Sequence, residues 1–163
     1  MNILVYRYNS ICEDAVIRGL KELGHTVHEV TLEIENKSPS GKEILDAVTT
    51  GIEKIDADII FSINYYPALS EIARVYKLLY YSWIVDAPVL ELYSKTIKNR
   101  CNRVFIFDSE LYKEISVNNP YNIFYLPLAA DCDFYQNAIR NASLSDVEKY
   151  THNISFVGSL YTE

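Results

Sequence analysis

The sequence predicts an α/β fold: a Rossmann-like doubly wound parallel sheet. Three observations carry the prediction. Short β-branched and aromatic runs alternate with stretches whose apolar residues recur at helical spacing. Gly24 separates the first helical stretch from a second strand, so strand, helix and strand follow one another within about 30 residues as a βαβ unit. Leu78–Val85, which holds the single Trp83, is a long apolar run of the kind found in a central strand covered on both faces.

Each element has a local reason. Asn2–Tyr8 is β-rich and opens the sheet. Residues 11–23 place Cys12, Ala15, Val16, Gly19, Leu20 and Leu23 on one helical stripe, with Gly24 at the C-cap. Thr26–Leu32 is the second strand. Asn36–Gly41 is a polar loop in which Ser40 is placed to cap a helix with Ile44, Leu45, Val48, Ile52 and Ile55 inward. Asp58–Ile63 is the third strand. Pro67 opens a helix that turns Leu69, Ile72, Ala73 and Tyr76 to the core. After the fourth strand, Pro88 is expected to open a helix running to about Lys98. Lys95, Lys98, Arg100 and Arg103 then read as a basic C-terminal face complementing its dipole. Arg103–Phe107 is the fifth strand, Ser109–Ser116 a helix, and Asn122–Leu126 the sixth strand, ended by Pro127.

Two domains are expected. Residues 1–131 form the Rossmann-like domain. Residues 132–163 read as a linker with one helix, then an apolar strand at Ile154–Val157. That strand runs into Gly158 and Ser159, as a second βα domain would open, with its remainder beyond Glu163. Such a strand, unpaired, is open to association with another copy of the chain.

Composition narrows the function. The 163 residues are 49% hydrophobic and 23% charged, ordinary for a globular chain with a sizeable core. A net charge of −7 with scattered basic residues speaks against nucleic-acid binding. No apolar run approaches the roughly 20 residues of a membrane span. The N-terminus has no basic leader or cleavage site, and the three cysteines have no CxxC spacing, so a reduced, cytoplasmic protein is expected. His25, His28 and His152 form no metal set.

Glycine usage excludes the usual nucleotide loops. The first strand runs into Tyr6-Arg7-Tyr8-Asn9-Ser10 without a glycine, and no GxxxxGK[ST] string occurs. No cofactor is expected in this domain. Gly158 and Ser159 are the residues placed to meet a phosphate, with a plain turn as the competing reading.

Ligands of open α/β sheets bind beyond the carboxyl ends of the strands. Those ends carry Tyr8, Asn9 and Ser10, then Asn64, Tyr65 and Tyr66, then Asp86, then Asp108 and Ser109. Amides, carboxylates and tyrosines on one rim suit sugar-like or polyol ligands. Structural readings stand beside these. Asp86 is also suited to N-cap the helix opened by Pro88, Asp108 or Ser109 to N-cap the next, Asn64 to hold an irregular turn, and the tyrosines to pack at the edge of the core.

Four ordered motifs carry a resemblance: Tyr80-Tyr-Ser-Trp83-Ile-Val-Asp86-Ala-Pro88, Cys101-Asn-Arg-Val-Phe-Ile-Phe107-Asp108, Tyr125-Leu-Pro127-Leu-Ala-Ala-Asp131 and Ile154-Ser-Phe-Val-Gly158-Ser159-Leu-Tyr161. Over nearly its whole length the chain resembles the N-terminal domain of the CgeB-like (spore maturation protein) glycosyltransferases, which are of GT-B type. The resemblance implies an acceptor-side domain facing a donor-side domain across a cleft. It implies Asp86 as the candidate base, with Asn9, Ser10, Asn64, Tyr65 and Asp108 along the acceptor side. It places Gly158 and Ser159 at the donor phosphates, implies a nucleotide-sugar and an acceptor as partners of the whole enzyme, and implies transfer without a metal. This segment alone would then be catalytically incomplete. The alternatives are a non-catalytic α/β binding module and a receiver-like module. Against the latter, the end of the third strand offers Asn64 where a phosphoacceptor aspartate is needed.

Overall fold

A computed structural model of the chain describes residues 1–155. The chain divides into two compact units, Met1–Leu128 and Ala129–Glu163.

The first unit is an α/β domain built on six parallel strands: β1 (Asn2–Tyr6), β2 (Thr26–Val30), β3 (Ile59–Ile63), β4 (Leu79–Ile84), β5 (Asn102–Ile106) and β6 (Ile123–Tyr125). Their order is β2-β1-β3-β4-β5-β6, with every neighbouring pair parallel. Five helices belong to this unit: α1 (Glu13–Glu22), α2 (Leu32–Glu35), α3 (Gly41–Ile55), α4 (Pro67–Tyr76) and α5 (Ser109–Ser116). The chain steps outward from β1 to β2 and then reverses, so β1 and β3 flank the topological switch point.

Local chemistry sets the helix ends. Gly24 (φ +82°) follows α1 in the left-handed region, and the His25 amide bonds back to the Leu20 carbonyl. Ser40 and Glu43 form a capping box at the start of α3. Pro67 begins α4, where its missing N–H costs nothing. Gly51 lets α3 lie close on β1, since a Cβ there would stand 2.6 Å from Leu4 Cδ1.

The two sheet faces are unequally covered. Leu4 and Tyr6 of β1 point into the main core with Val48 and Ile52 of α3, Leu69, Ile72 and Ala73 of α4, and Leu111 and Ile115 of α5. Ile3 and Val5 point the other way, to Ile17 of α1. A right-handed crossover changes face when the direction of stepping reverses, which puts α1 opposite the later helices. This corrects the expectation for the fourth strand. β4 is central, yet its burial alternates: Tyr80, Ser82 and Ile84 are buried, while Tyr81 and Trp83 are partly open.

Other expectations change as well. β2 ends at Val30, and Leu32 begins the short helix α2. No continuous helix follows Pro88. Two 3-10 turns, Leu90–Tyr93 and Lys95–Lys98, are separated by Ser94 in extended conformation. Leu92 and Ile97 are both fully buried. Five positions apart, they would point about 140° from each other on one α-helix, and the break turns both inward. Lys95 and Lys98 therefore lie on a 3-10 turn, while Arg103 lies on β5 and donates to Asn122 Oδ1 (2.6 Å). Tyr76, expected inward, is exposed.

Among the described residues, the second unit holds two helices where one was expected: α6 (Cys132–Asn141), capped by Asp131, and α7 (Leu144–Tyr150), opened by a Ser143–Asp146 capping box. Ile154 lies in a bend and is exposed, and the rest of the strand expected over Ile154–Val157 lies outside the described residues.

Candidate functional site

The loop after β1 is organised by one carboxylate. Glu13, the first residue of α1, is 1% exposed. It accepts the backbone N–H groups of Tyr8 (2.9 Å) and Asn9 (3.1 Å) and the Nε–H of Arg7 (3.0 Å). Arg7 also reaches Asp14 and Glu29, each at 2.6 Å. Asn9 takes φ +74°, a left-handed conformation asparagine tolerates better than most residues. Loop amides at a helix N-terminus after the first strand are the groups that hold pyrophosphate in dinucleotide folds. Here the protein's own carboxylate takes them. The absence of glycine in this loop thus has a structural counterpart.

The ends of β3 and β4 are organised by an amide. Asn64 follows β3 with φ +56°. Its carbonyl accepts the hydroxyls of Ser62 (2.7 Å) and Ser82 (3.0 Å). Its side-chain Oδ1 accepts the amides of Val85 (3.1 Å) and Asp86 (3.4 Å). Its Nδ2 donates to Tyr8 Oη (3.0 Å) and to Asp86 Oδ2 (2.6 Å). One side chain thereby ties together the carboxyl ends of β1, β3 and β4. Asp86 is exposed and oriented by that amide. It caps no helix, since none begins at Pro88.

Tyrosines surround this junction. Tyr66 packs edge-on against Tyr6 (5.1 Å between centroids) and at a tilt against Tyr8 (6.3 Å). Burial raises the Tyr8 hydroxyl above its ordinary range; the Ser10 hydrogen bond works against this and the Asp86 charge adds to it. Burial, then the charge of Glu33, raises Tyr6 and Tyr66 strongly. All three stay protonated near neutrality. The Glu33 carboxylate comes from α2 and lies near enough to act on both hydroxyls. Hydrogen bonding to Glu33 adds to the rise at both tyrosines, and Glu33 Oε2 and Tyr6 Oη are themselves buried atoms.

The residues expected from sequence separate into three groups. Asn9, Ser10, Asn64 and Asp86 lie in the loops after β1, β3 and β4, and the Asn64 side chain joins Asp86 to Tyr8. Tyr65 and Asp108 turn to structural tasks. Tyr65 is 1% exposed, and its hydroxyl pairs with Thr96 Oγ1 (2.9 Å) and accepts from Asn102 (3.2 Å) inside the core. Asp108 caps α5 by accepting the Leu111 amide at 2.7 Å. Gly158 and Ser159 lie outside the described residues.

Sequence reasoning missed Glu13 and Glu33. Glu13 had a signal, a carboxylate opening a helix just after Arg7. Glu33 had none, because Leu32 was read as the end of a strand. Among the described residues, no group of three His, Cys, Asp or Glu side chains is placed to hold a metal ion, and no helix is long and apolar enough to cross a membrane.

At this junction the Tyr8 hydroxyl keeps its proton to donate and the exposed Asp86 carboxylate keeps acceptor capacity, while the amides are taken up within the protein. No protein-family model matches the chain, and no curated protein matches it.

Proposed function

We propose that this chain is the acceptor-side domain of a GT-B-type glycosyltransferase and works with a donor-side domain that binds a nucleotide-sugar. The observation that carries the reading is the Asn64–Asp86 hydrogen bond of 2.6 Å at the β1/β3 switch point. An exposed carboxylate held in one orientation is what a general base requires. The Tyr8 hydroxyl and the Tyr66 ring beside it suit the mixed polar and C–H surface of a sugar. The loop after β1, closed by Glu13, leaves nucleotide binding to the other domain.

In this reading the acceptor hydroxyl sits against Asp86. As its oxygen bonds to the anomeric carbon, the bond from that carbon to the diphosphate breaks, and the hydroxyl proton passes to Asp86. The nucleoside diphosphate leaves on the donor side. Motif resemblance places Gly158 and Ser159 there.

Saturation-transfer NMR on the chain tests the division of roles. Simple sugars and polyols should receive magnetisation, and UDP-glucose should not exceed glucose. Tight binding of UDP-glucose through its nucleotide would overturn the assignment.

A further inference from the structure

The two edges of the sheet differ. β2 closes one edge, and its Glu29 is paired with Arg7 and Lys21, so charge guards that strand. β6 closes the other edge and carries no charge. In the sequence no charged residue lies between Glu114 and Asp131. Apolar side chains stand open there: Tyr121, Phe124, Tyr125, Leu126 and Leu128 are all exposed. In a chain of net charge −7, this is the edge that another copy meets with the least repulsion.

The backbone sets how β6 can pair. The Val104 amide donates to the Asn122 carbonyl and the Leu126 amide to the Ile106 carbonyl, each at 2.9 Å. Phe124 is aligned with Phe105 between them. In a parallel ladder the N–H and C=O of one residue turn to the same neighbour, and the side alternates along the strand. Asn122, Phe124 and Leu126 therefore bond toward β5, while the N–H and C=O of Ile123 and Tyr125 point outward. Pro127, the next outward position, has no N–H and ends the edge. The side chains add a second signal. Tyr81, Phe105 and Phe124 stack in a row across β4, β5 and β6, with centroids 6.1 and 5.4 Å apart. The row stops at Phe124, which is 38% exposed.

We infer that β6 pairs antiparallel with β6 of a second copy of the chain, about a two-fold axis at Phe124. Ile123 then exchanges both backbone bonds with Tyr125 of the second copy, and Tyr125 with its Ile123. Phe124 stands opposite itself as the non-hydrogen-bonded pair, where Cα atoms are about 4.5 Å apart and side chains come closest. The aromatic row becomes continuous through both copies, and cross-strand aromatic pairs of this kind stabilise a sheet. Outward groups on both sides of one central residue make the strand its own complement, as a two-fold contact requires. Because the paired strands run oppositely, the carboxyl edges of the two sheets face opposite directions. Such a dimer would form whether or not the chain serves a transferase.

Sedimentation velocity of the whole chain over a wide range of concentration should show a concentration-dependent dimer. Phe124→Lys sets two cations against each other at the axis and should weaken it at least about tenfold. Tyr125→Lys, at an exposed position, should also weaken it and serves if Phe124→Lys does not fold. Ile154→Lys, in the second unit, should leave it unchanged. Oxidative cross-linking reads the register, with the exposed Cys132 replaced by serine. Phe124→Cys should give a covalent dimer, since positions on the axis lie within disulfide reach. Tyr125→Cys should not, because its two copies lie two positions apart along the strands, beyond the about 7 Å that a disulfide spans. A monomer at every concentration, a dimer indifferent to Phe124→Lys and Tyr125→Lys, or one abolished by Ile154→Lys would overturn the inference. Cross-linking through Tyr125→Cys in place of Phe124→Cys would overturn it too.

Discussion

The loop after β1 and the junction after β3 and β4 both lie at the carboxyl edge of the sheet, and each carries a carboxylate: Glu13 at the centre of the first, Asp86 at the rim of the second. Glu13 is 1% exposed and accepts two backbone amides and a guanidinium. Asp86 is exposed, and its carboxylate accepts from one side-chain amide. The first is consumed in holding its loop. The second is oriented but keeps acceptor capacity, since an ionised carboxylate offers about four lone-pair sites. A carboxylate at the mouth of an α/β sheet is therefore no guide to function by itself. The count of its protein donors, set against its burial, separates a brace from an available base.

Removing the brace should have the largest effect on stability. Glu13→Ala leaves Arg7 short of its most buried partner and strands the Tyr8 and Asn9 amides. Breaking a buried ion pair on one side costs about 3–5 kcal/mol. That is a large share of the roughly 5–15 kcal/mol available to a domain. Urea denaturation should show a midpoint far below wild type with an unchanged slope. A loss under about 1 kcal/mol would mean that the loop does not depend on Glu13 and that the contrast with Asp86 is false.

Glu29 is intermediate, with a side chain 28% exposed between Arg7 and Lys21. Burial works to raise its carboxyl, but the hydrogen bonds from Lys21 and Arg7 outweigh it and hold the group below the ordinary glutamate range. The sign follows from linkage. A depressed native value gives stability that is present above the unfolded value, near pH 4.3. That stability is lost as the pH falls through the native value. Glu29→Gln should cost about 0.2–1 kcal/mol at pH 7, and the gap to wild type should close on acidification. A gap that stays constant as the pH falls from 7 until the carboxyl is protonated in both states would contradict the assignment.

Much of this architecture was legible in the sequence, because hydrophobic period and glycine position report backbone form directly. The β1-α1-β2 unit, Gly24 after α1, the Ser40 cap and the order of six strands are local or nearly local features. The helix expected after Pro88 failed for a tertiary reason: Leu92 and Ile97 both needed the core, and one helix could not deliver them. At the site, Asn64 and Asp86 were legible as strand-end polar residues, but their bond spans 22 positions and no pattern announces it. Tyr65 was misjudged because neighbouring tyrosines look alike in sequence, while the backbone sends one into the core beside Asn102 and its neighbour Tyr66 toward Tyr8. Glu33 was hidden by a boundary error of two residues at the end of β2.

The smallest effect on stability should come at Asp86, and it is the sharpest test of the contrast. Asp86→Asn keeps size and shape at an exposed position and leaves the Val85 and Asp86 amides on Asn64 Oδ1. Its cost should stay within about 0.5 kcal/mol. Asn64 can still donate to the new carbonyl, so the junction should hold its form. What disappears is a negative, proton-accepting oxygen. In an assembled transferase, loss of a general base lowers turnover by roughly 10²–10⁴-fold. Turnover measured as nucleoside diphosphate release, beside a denaturation midpoint on the same variant, separates the two quantities. Unaltered turnover would remove Asp86 from the chemistry. A large fall in stability would make it a second brace, and the two loops would then differ only in exposure.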